Sequence, residues 1–204
     1  MSGKTRFLLI RHGEIDANAK RLWHGSTDSD LNAVGIRQAE QMGIEVAKDH
    51  PNIAQIYSSP LKRTYATASA LGRASGINPI KLKGLREYSI GELEGTSYQS
   101  LNEDHDFFNS ISQDQDFSPK GGESVNGVNQ RMLDVLKELA REHQGELIAL
   151  VSHGAAMAIA LASLLKGSPH PFHEYHMSNT GVTQLDWSDK PVLSVFDDTS
   201  HLSD

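Results

Sequence analysis

Two short, almost wholly apolar segments far apart in the chain end in the same way. Residues 6–10 and residues 147–151 have the composition of strands that are buried on both faces of a parallel sheet. The first segment leads to His12 and the second to His153, and a glycine follows each histidine. Because parallel strands present their carboxyl ends at one edge of the sheet, we expect the two imidazole rings to lie together there.

The remaining sequence alternates between amphipathic helices and short strands. Helices are predicted over residues 33–50, 60–76, 125–139 and 155–165, and further strands over residues 53–57, 80–82, 181–187 and 192–196. Residues 88–123 lack sustained periodicity and are predicted to be a loop-rich insertion that covers the active site. The pattern predicts an α/β fold, a three-layer α/β/α sandwich around a mostly parallel central sheet, forming a single domain of residues 1–204.

The composition excludes several classes of function. A net charge of -7 with only 19 lysine and arginine residues gives no general attraction to nucleic acids or anionic membranes, so neither partner is expected. The absence of cysteine excludes a disulfide framework, a thiolate nucleophile and a zinc site with cysteine ligands. The chain starts without the long apolar stretch of a signal peptide, and residues 155–165 fall short of the ~20 apolar residues of a membrane span. We therefore expect a cytoplasmic protein.

Arginine residues give the paired histidines a chemical meaning that neither histidine has alone. Arg11 precedes His12, and Arg63 is predicted to lie in the first turn of a helix that Ser59 caps. Guanidinium groups donate paired, charge-assisted hydrogen bonds to phosphate, and helix amides after Gly154 and near Arg63 are expected to add donors. The cluster predicts a phosphoryl pocket in which a neutral imidazole is the nucleophile.

A phosphate ester also needs a proton donor, because its oxygen leaves poorly as an alkoxide. The same group must later deprotonate the water that hydrolyses the phosphoenzyme. Glu87 is the candidate, since it opens the loop-rich insertion. An ordinary surface glutamate is the simpler interpretation of this residue when it is taken alone.

These motifs resemble, in order and over nearly the whole chain, those of the histidine phosphatase superfamily, also called phosphoglycerate mutase-like. The matching motifs are Arg11-His12-Gly13-Glu14 with Asn18, His24-Gly25-Ser26-Thr27-Asp28 with Gly35 and Gln38-Ala39, Ser58-Ser59-Pro60-Leu61-Lys62-Arg63 with Thr67-Ala68, Leu85-Arg86-Glu87 with Gly91-Glu92-Leu93-Glu94-Gly95, Gly121-Gly122-Glu123-Ser124, and Val151-Ser152-His153-Gly154. The resemblance implies a metal-independent phosphomonoesterase of the phosphatase branch that uses no cofactor and acts on a small phosphorylated substrate.

The resemblance also implies a role for each matched residue. His12 is then the phosphorylated nucleophile, Arg11, Arg63 and His153 form the phosphate pocket, and Glu87 is the general acid and base. Further substrate contacts are expected from Asn18, His24, Gly25, Ser26, Gly154 and Ala155. His24 stands where relatives more often have glutamine or threonine, so a substrate contact there is expected to differ.

Two other functions remain open: cofactor-dependent transfer of the phosphoglycerate mutase type, and non-catalytic binding of a phosphorylated ligand. The mutases look longer between the Glu87 motif and the second histidine motif, with added basic residues. Residues 92–118 contain no lysine or arginine but carry seven acidic residues, a poor cradle for a substrate carboxylate. This difference favours hydrolysis, and the intact set of five catalytic residues favours activity.

Three histidines recur at every third position, namely His170, His173 and His176. They could bind a metal in principle, but Pro169 and Pro171 interrupt the spacing and make a helical metal face an unfavoured interpretation, so no metal site is expected. By the resemblance, this loop lies near the mouth of the pocket, so that contact with substrate through one of the histidines or Phe172 is an alternative to plain solvent exposure.

Phe107 and Phe108 are expected either to pack as a small core within the insertion or to line the leaving-group site. The acidic tail from Asp197 is expected to fray. The terminal strands or an exposed sheet edge would allow a homodimer.

Overall fold

The computed structural model describes residues 4–202. Its six strands are β1 (Arg6–Arg11), β2 (Ile53–Ser58), β3 (Ile80–Lys81), β4 (Leu147–Ser152), β5 (Val182–Asp186) and β6 (Val192–Asp198). They form one sheet in the order β3-β2-β4-β1-β5-β6. The first four strands of this order are parallel, β5 is antiparallel to β1, and β6 is antiparallel to β5. The predicted mostly parallel sheet is confirmed. The predicted domain also includes residues 1–3 and 203–204, which lie outside the described residues.

The helices cover both faces of this sheet. They are α1 (Asp16–Ala19), α2 (Ala33–Asp49), α3 (Lys62–Ser75), α4 (Tyr98–Glu103), α5 (Phe107–Gln113), α6 (Val125–Glu142) and α7 (Gly154–Lys166). Alternate β1 residues belong to different cores: Leu8 and Ile10 pack with α2 and α3, whereas Phe7 and Leu9 pack with α6 and α7. Burial on both faces explains why the central strands are continuously apolar and confirms the three-layer sandwich.

Helix α7 is the longest apolar segment and is buried along most of its length. It ends at Lys166, and the C-cap residue Gly167 has a φ of 75°, a left-handed conformation that glycine adopts without strain. Within residues 4–202, no helix is both long and apolar enough to cross a membrane.

The predicted start of α3 was wrong. Ser59 does not cap the helix, which begins at Lys62 after Leu61. The Ser59 hydroxyl instead contacts Nε2 of His153 at 2.9 Å, while the Lys62 amide donates to Asp28 Oδ1 at 2.8 Å. The serine is thus used by the site, and an aspartate from another loop caps the helix.

The insertion over residues 88–123 contains two short helices between its loops. Its two helices, α4 and α5, are only six and seven residues long. Such short helices contain too few apolar positions to show a period, although Leu101, Phe107 and Ile111 are buried. These three side chains anchor the insertion to the core beside α6 and α7.

The C-terminal strand β6 reaches Asp198, so the predicted fraying at Asp197 was wrong. The Asp197 carboxylate accepts hydrogen bonds from the amide and hydroxyl of Ser178, at 2.7 and 2.9 Å. Strand β6 lies at the edge of the sheet and exposes Val192 and Phe196. A homodimer through such an edge stays a prediction.

Candidate active site

The two histidines meet at the carboxyl edge of the sheet. Strands β1 and β4 are paired so that Arg11 lies beside Ser152, and the next residue of each strand is therefore a histidine at the same level. The ring centroids of His12 and His153 are 5.2 Å apart, with the ring planes at 63°. His153 is fully buried, and its Nε2 contacts Ser59 Oγ. The strand pattern thus brings both imidazoles to one point.

One ring nitrogen of His12 is occupied by the backbone. Its Nδ1 lies 2.7 Å from the carbonyl oxygen of Gly13. Since a carbonyl can only accept, Nδ1 carries the hydrogen and Nε2 keeps its lone pair. Burial, with Arg63 and Arg11 nearby, holds the pKa of His12 well below its usual value. The ring is therefore neutral near pH 7 and able to act as a nucleophile through Nε2.

Two arginines flank His12, and protein carbonyls hold each of them. Arg63 is 1% exposed and donates from Nη1 to Thr27 O at 2.8 Å and from Nη2 to Gly25 O at 2.7 Å. Arg11 donates from Nη1 to Met177 O at 2.5 Å. The Nε atoms of both arginines and Nδ1 of His153 are buried and have no hydrogen-bond partner. These three buried nitrogens belong to residues next to His12 and keep unused hydrogen-bonding capacity, which an anion bound at His12 would satisfy.

Glu87 lies at the N-terminus of α7. Its Oε1 accepts from the amides of Tyr88 and Ala156, both at 2.9 Å, and its Oε2 accepts from the amide of Ala155 at 3.3 Å. The α7 amides expected to bind phosphate, that of Ala155 among them, thus bind this carboxylate, and the first amide of α3 binds Asp28. The predicted helix N-terminal donors were wrong in these positions, because protein carboxylates already occupy them.

Arg131 of α6 fixes the backbone around Glu87. Its guanidinium donates to the carbonyl oxygens of Gly84, Arg86 and Glu87 at 2.7–3.0 Å, and pairs with the Glu123 carboxylate at 2.8 and 3.0 Å. The role of Arg131 was missed in the sequence. The available signal was an arginine three residues after the buried Val128, on the apolar side of an amphipathic helix.

Glu94 organises the turn that holds Arg63. Its carboxylate accepts from the amides of Ser26 and Thr27 at 2.9 and 2.8 Å, and from the hydroxyls of Thr27 and Ser89 at 2.5 and 2.8 Å. Burial opposes the charged form, but these hydrogen bonds outweigh it and lower the pKa of Glu94. The adjacent Gly25 has a φ of 53°, and an added Cβ would lie only 2.3 Å from Glu94 Oε1, so the turn requires glycine there.

These groups open into a cleft of about 220 Å³. Nine residues expected at the site line it: Arg11, His12, Asn18, His24, Gly25, Arg63, Glu87, Gly154 and Ala155. His153 lies against His12 without lining the cleft, and Ser26 lies outside it. Five lining residues were missed, namely Ile15, Leu22, Trp23, Tyr98 and Ala158. Their apolar side chains carry no sequence signal that separates a cleft wall from a core.

The sequence left two interpretations, core or surface against cleft lining, for two phenylalanines and for the histidine loop, and the structure assigns some of these residues to each. Phe107 is buried in the core, whereas Phe108 lines the cleft. Phe172, His173 and His176 also line it, while His170 contacts Ser112 Oγ at 3.4 Å. In the part of the chain that the structure describes, no group of three or more histidine, aspartate or glutamate side chains converges as a metal cluster.

A neutral His12 that shares one cleft with Arg11, Arg63 and Glu87 agrees with the comparison to known families. Residues 7–198 match the histidine phosphatase superfamily, branch 1. The chain belongs to the histidine phosphatase superfamily. It is an enzyme of the histidine phosphatase type, as the motif resemblance predicts.

Similar proteins of this superfamily include both phosphatases and mutase-like proteins. From Arabidopsis thaliana, phosphoglycerate mutase-like protein 4 is 31% identical over 98% of this chain and 88% of the relative. A metal-independent phosphoserine phosphatase from the same plant is 30% identical over 98% of this chain and 84% of its own. A solved phosphoserine phosphatase from Entamoeba histolytica, in complex with 3-phosphoglyceric acid, has a TM-score of 0.85 and 30% identity, over 98% of this chain and all of that one.

Proposed function

We propose that this histidine phosphatase is a metal-independent phosphomonoesterase that hydrolyses a small phosphorylated metabolite through a phosphohistidine on His12. One observation carries the proposal. A neutral imidazole with Nε2 unprotonated lies among three buried, unpartnered nitrogens, Arg11 Nε, Arg63 Nε and His153 Nδ1. Such donors stabilise the charge on the equatorial oxygens of a phosphoryl group during transfer.

In the first step, His12 Nε2 attacks phosphorus and forms a P–N bond. The bond from phosphorus to the ester oxygen breaks, and the leaving oxygen takes a proton from Glu87. The alcohol departs, and the phosphoryl group stays on His12. Amides of α7 and Tyr88 orient the Glu87 carboxyl, and Arg131 holds its backbone. These contacts support Glu87 as the proton donor, because they hold its carboxyl group in the wall of the cleft that would receive the ester.

In the second step, water attacks phosphorus and transfers a proton to Glu87. The P–N bond breaks, inorganic phosphate is released, and His12 returns to its neutral form. The same carboxyl group thus acts as acid and then as base. Asn18 also faces this cleft, with its Oδ1 held by the amide of Ile15 at 3.2 Å and by Asn179 Nδ2 at 3.3 Å.

Hydrolysis is favoured over the phosphoglycerate mutase type of transfer. The acidic residues of the insertion do not line the cleft, so the repulsion expected from sequence is not the reason. The reason lies in the cationic groups: among the described residues lining the cleft, Arg11 and Arg63 are the only lysine or arginine residues. Both are placed for the transferred phosphoryl group, which leaves no third cation for a second phosphate or a carboxylate.

The nucleophile is tested by turnover of p-nitrophenyl phosphate in EDTA. We expect His12→Ala to reduce kcat by at least ~10³-fold, as removal of a nucleophile does in other covalent mechanisms. The matched control is His50→Ala, at the partly buried end of α2. Rapid quenching in base should trap an acid-labile phosphoryl group on wild type and on His50→Ala, but not on His12→Ala. Equal activity of wild type and His12→Ala would refute the assignment.

The role of Glu87 is tested by the dependence on the leaving group. Glu87→Gln should lower kcat/KM about 10²-fold or more with benzyl phosphate, because its alkoxide needs a proton. The loss of kcat/KM with p-nitrophenyl phosphate should be much smaller. The comparison uses kcat/KM, which reports formation of the phosphohistidine and not its later hydrolysis, and equal losses of kcat/KM on both substrates would exclude proton donation by Glu87. Supplying 3-phosphoglycerate with a bisphosphoglycerate primer tests the mutase alternative, and efficient formation of 2-phosphoglycerate would establish it.

A further inference from the structure

We infer that the leaving group of the natural substrate is uncharged and carries a planar ring. The inference rests on the proposed function, because it assigns the two halves of one cleft to the two halves of a phosphate ester. The half beyond Arg11, His12 and Arg63 is lined by four aromatic side chains, those of Trp23, Tyr98, Phe108 and Phe172. This aromatic half is the proposed leaving-group site.

The aromatic wall is fixed before any ligand binds. Trp23 is nearly buried, and its indole nitrogen donates to the carbonyl oxygen of Tyr88 at 3.3 Å. Its ring contacts those of Tyr98 and Phe108 at centroid distances of 5.6 and 6.3 Å, and also packs on Phe107 at 5.7 Å. A wall anchored in this way binds a ligand ring with little loss of side-chain entropy.

The outer rings offer free surface to the cleft. Tyr98 is 47% exposed and Phe108 is partly exposed, and their planes lie within 4° of each other. Two nearly parallel rings on the rim of a concave site suit a flat, apolar ligand group, which gains from ring contacts beyond the area that it buries. Because the two rings are adjacent in one concave site, they form a contiguous aromatic surface of the kind that marks a ligand site.

This half of the cleft has no lysine or arginine of its own among the described residues, and two of its histidines, His24 and His176, are held in the neutral form. Burial, with Arg63 nearby, lowers the pKa of His24, and burial with Arg11 nearby lowers that of His176. Asn18 is uncharged, and among the described residues that line the cleft Glu87 is the only acidic one. An anionic leaving group would therefore be desolvated beside aromatic rings and Glu87 without a lysine or arginine of its own. An uncharged ring avoids this cost and can still accept a hydrogen bond from His24.

The test compares three phosphonates, whose C–P bond resists hydrolysis, by titration calorimetry with the wild-type protein. Methylphosphonate probes the phosphoryl pocket alone, benzylphosphonate adds a ring, and 2-amino-4-phosphonobutanoate adds the charged groups of phosphoserine. We expect benzylphosphonate to bind about tenfold more tightly than either of the others. If 2-amino-4-phosphonobutanoate binds as tightly or more tightly, the inference is overturned while the phosphoryl pocket stands. If none of the three binds, the proposed function itself fails.

Variants of the wall locate the effect. Phe108→Leu and Tyr98→Leu should each weaken benzylphosphonate about three- to tenfold and leave methylphosphonate unchanged. Phe196→Leu removes an exposed ring on β6 and is the control, with no expected effect on either ligand. Equal weakening of both ligands by Phe108→Leu and by Tyr98→Leu would show a general loss of structure and overturn the assignment of the wall.

Discussion

The two halves of the cleft are built in different ways. The phosphoryl half is made at the ends of β1 and β4 and in the first turn of α3, with His12 and Arg63 buried and held by backbone carbonyls. The leaving-group half is made by side chains from a turn, the insertion over residues 88–123 and the loop after α7. The first half depends on sheet register, whereas the second depends on aromatic packing between loops.

This difference separates the constant part of the reaction from the variable part. Paired strands and a helix terminus hold donors to within a fraction of an ångström, which transfer of a phosphoryl group demands. Loops packed by aromatic contacts tolerate substitution more readily, and they contact only the group that departs. Changes in the two halves should therefore have separable kinetic effects.

The strongest test of this separation is Arg63→Met. Loss of the buried guanidinium removes a donor to the phosphoryl oxygens and should lower kcat/KM by about 10²–10³-fold. Because the phosphoryl group is common to all substrates, kcat/KM should fall by the same factor for p-nitrophenyl phosphate and for benzyl phosphate. The control is Arg73→Met on the same helix, where the arginine is exposed and pairs with Glu40. A loss confined to one substrate would break the division into halves.

The phosphoryl half could be predicted from the sequence because each of its parts leaves a regular signal. The strands are continuously apolar, a histidine and a glycine end each one, and Arg63 follows a third strand. Only local details were wrong, such as the cap of α3. Ser59 could either cap the helix or contact a site residue, and the sequence does not show that His153 lies beside it.

The leaving-group half could not be predicted in the same way. Tyr98 and Phe108 lie in a segment without periodicity, where an exposed cleft residue and a packed one look alike. Phe107 and Phe108 are adjacent, yet one is in the core and the other faces the cleft. Their roles depend on the direction of a short helix, which is set by tertiary contacts with Trp23.

A smaller effect is expected from Arg131→Met, which tests the positioning of Glu87 between the two halves of the cleft. Arg131 contacts no cleft residue except through the Glu87 carbonyl, so its loss should misplace the acid without changing the phosphoryl donors. We expect about a tenfold loss of kcat with benzyl phosphate and a smaller loss with p-nitrophenyl phosphate. The exposed Arg141 on the same helix gives the control variant Arg141→Met. A uniform loss would indicate a purely structural role.

The smallest effect, that of Glu94→Gln, shows where the two halves are joined. Glu94 belongs to the insertion, but its carboxylate holds the amides of Ser26 and Thr27, in the turn whose carbonyls bind Arg63. A glutamine can accept with only one oxygen, so at least one of these donors loses its partner. We expect a loss of about 1 kcal/mol in the free energy of unfolding at pH 7.

The pH dependence of this loss separates Glu94 from a mere packing residue. Hydrogen bonds lower its pKa in the folded protein, so that the unfolded state binds the proton more readily. The stabilisation is therefore full above the unfolded pKa of about 4.5 and is lost as the pH falls through the folded value. Urea unfolding of wild type and Glu94→Gln at pH 7 and at successive values below 4.5 should show a shrinking difference, whereas the exposed Glu92→Gln should show almost none. A difference that is constant with pH would mean that the insertion supports the Arg63 turn by contact alone and not by the charge of Glu94.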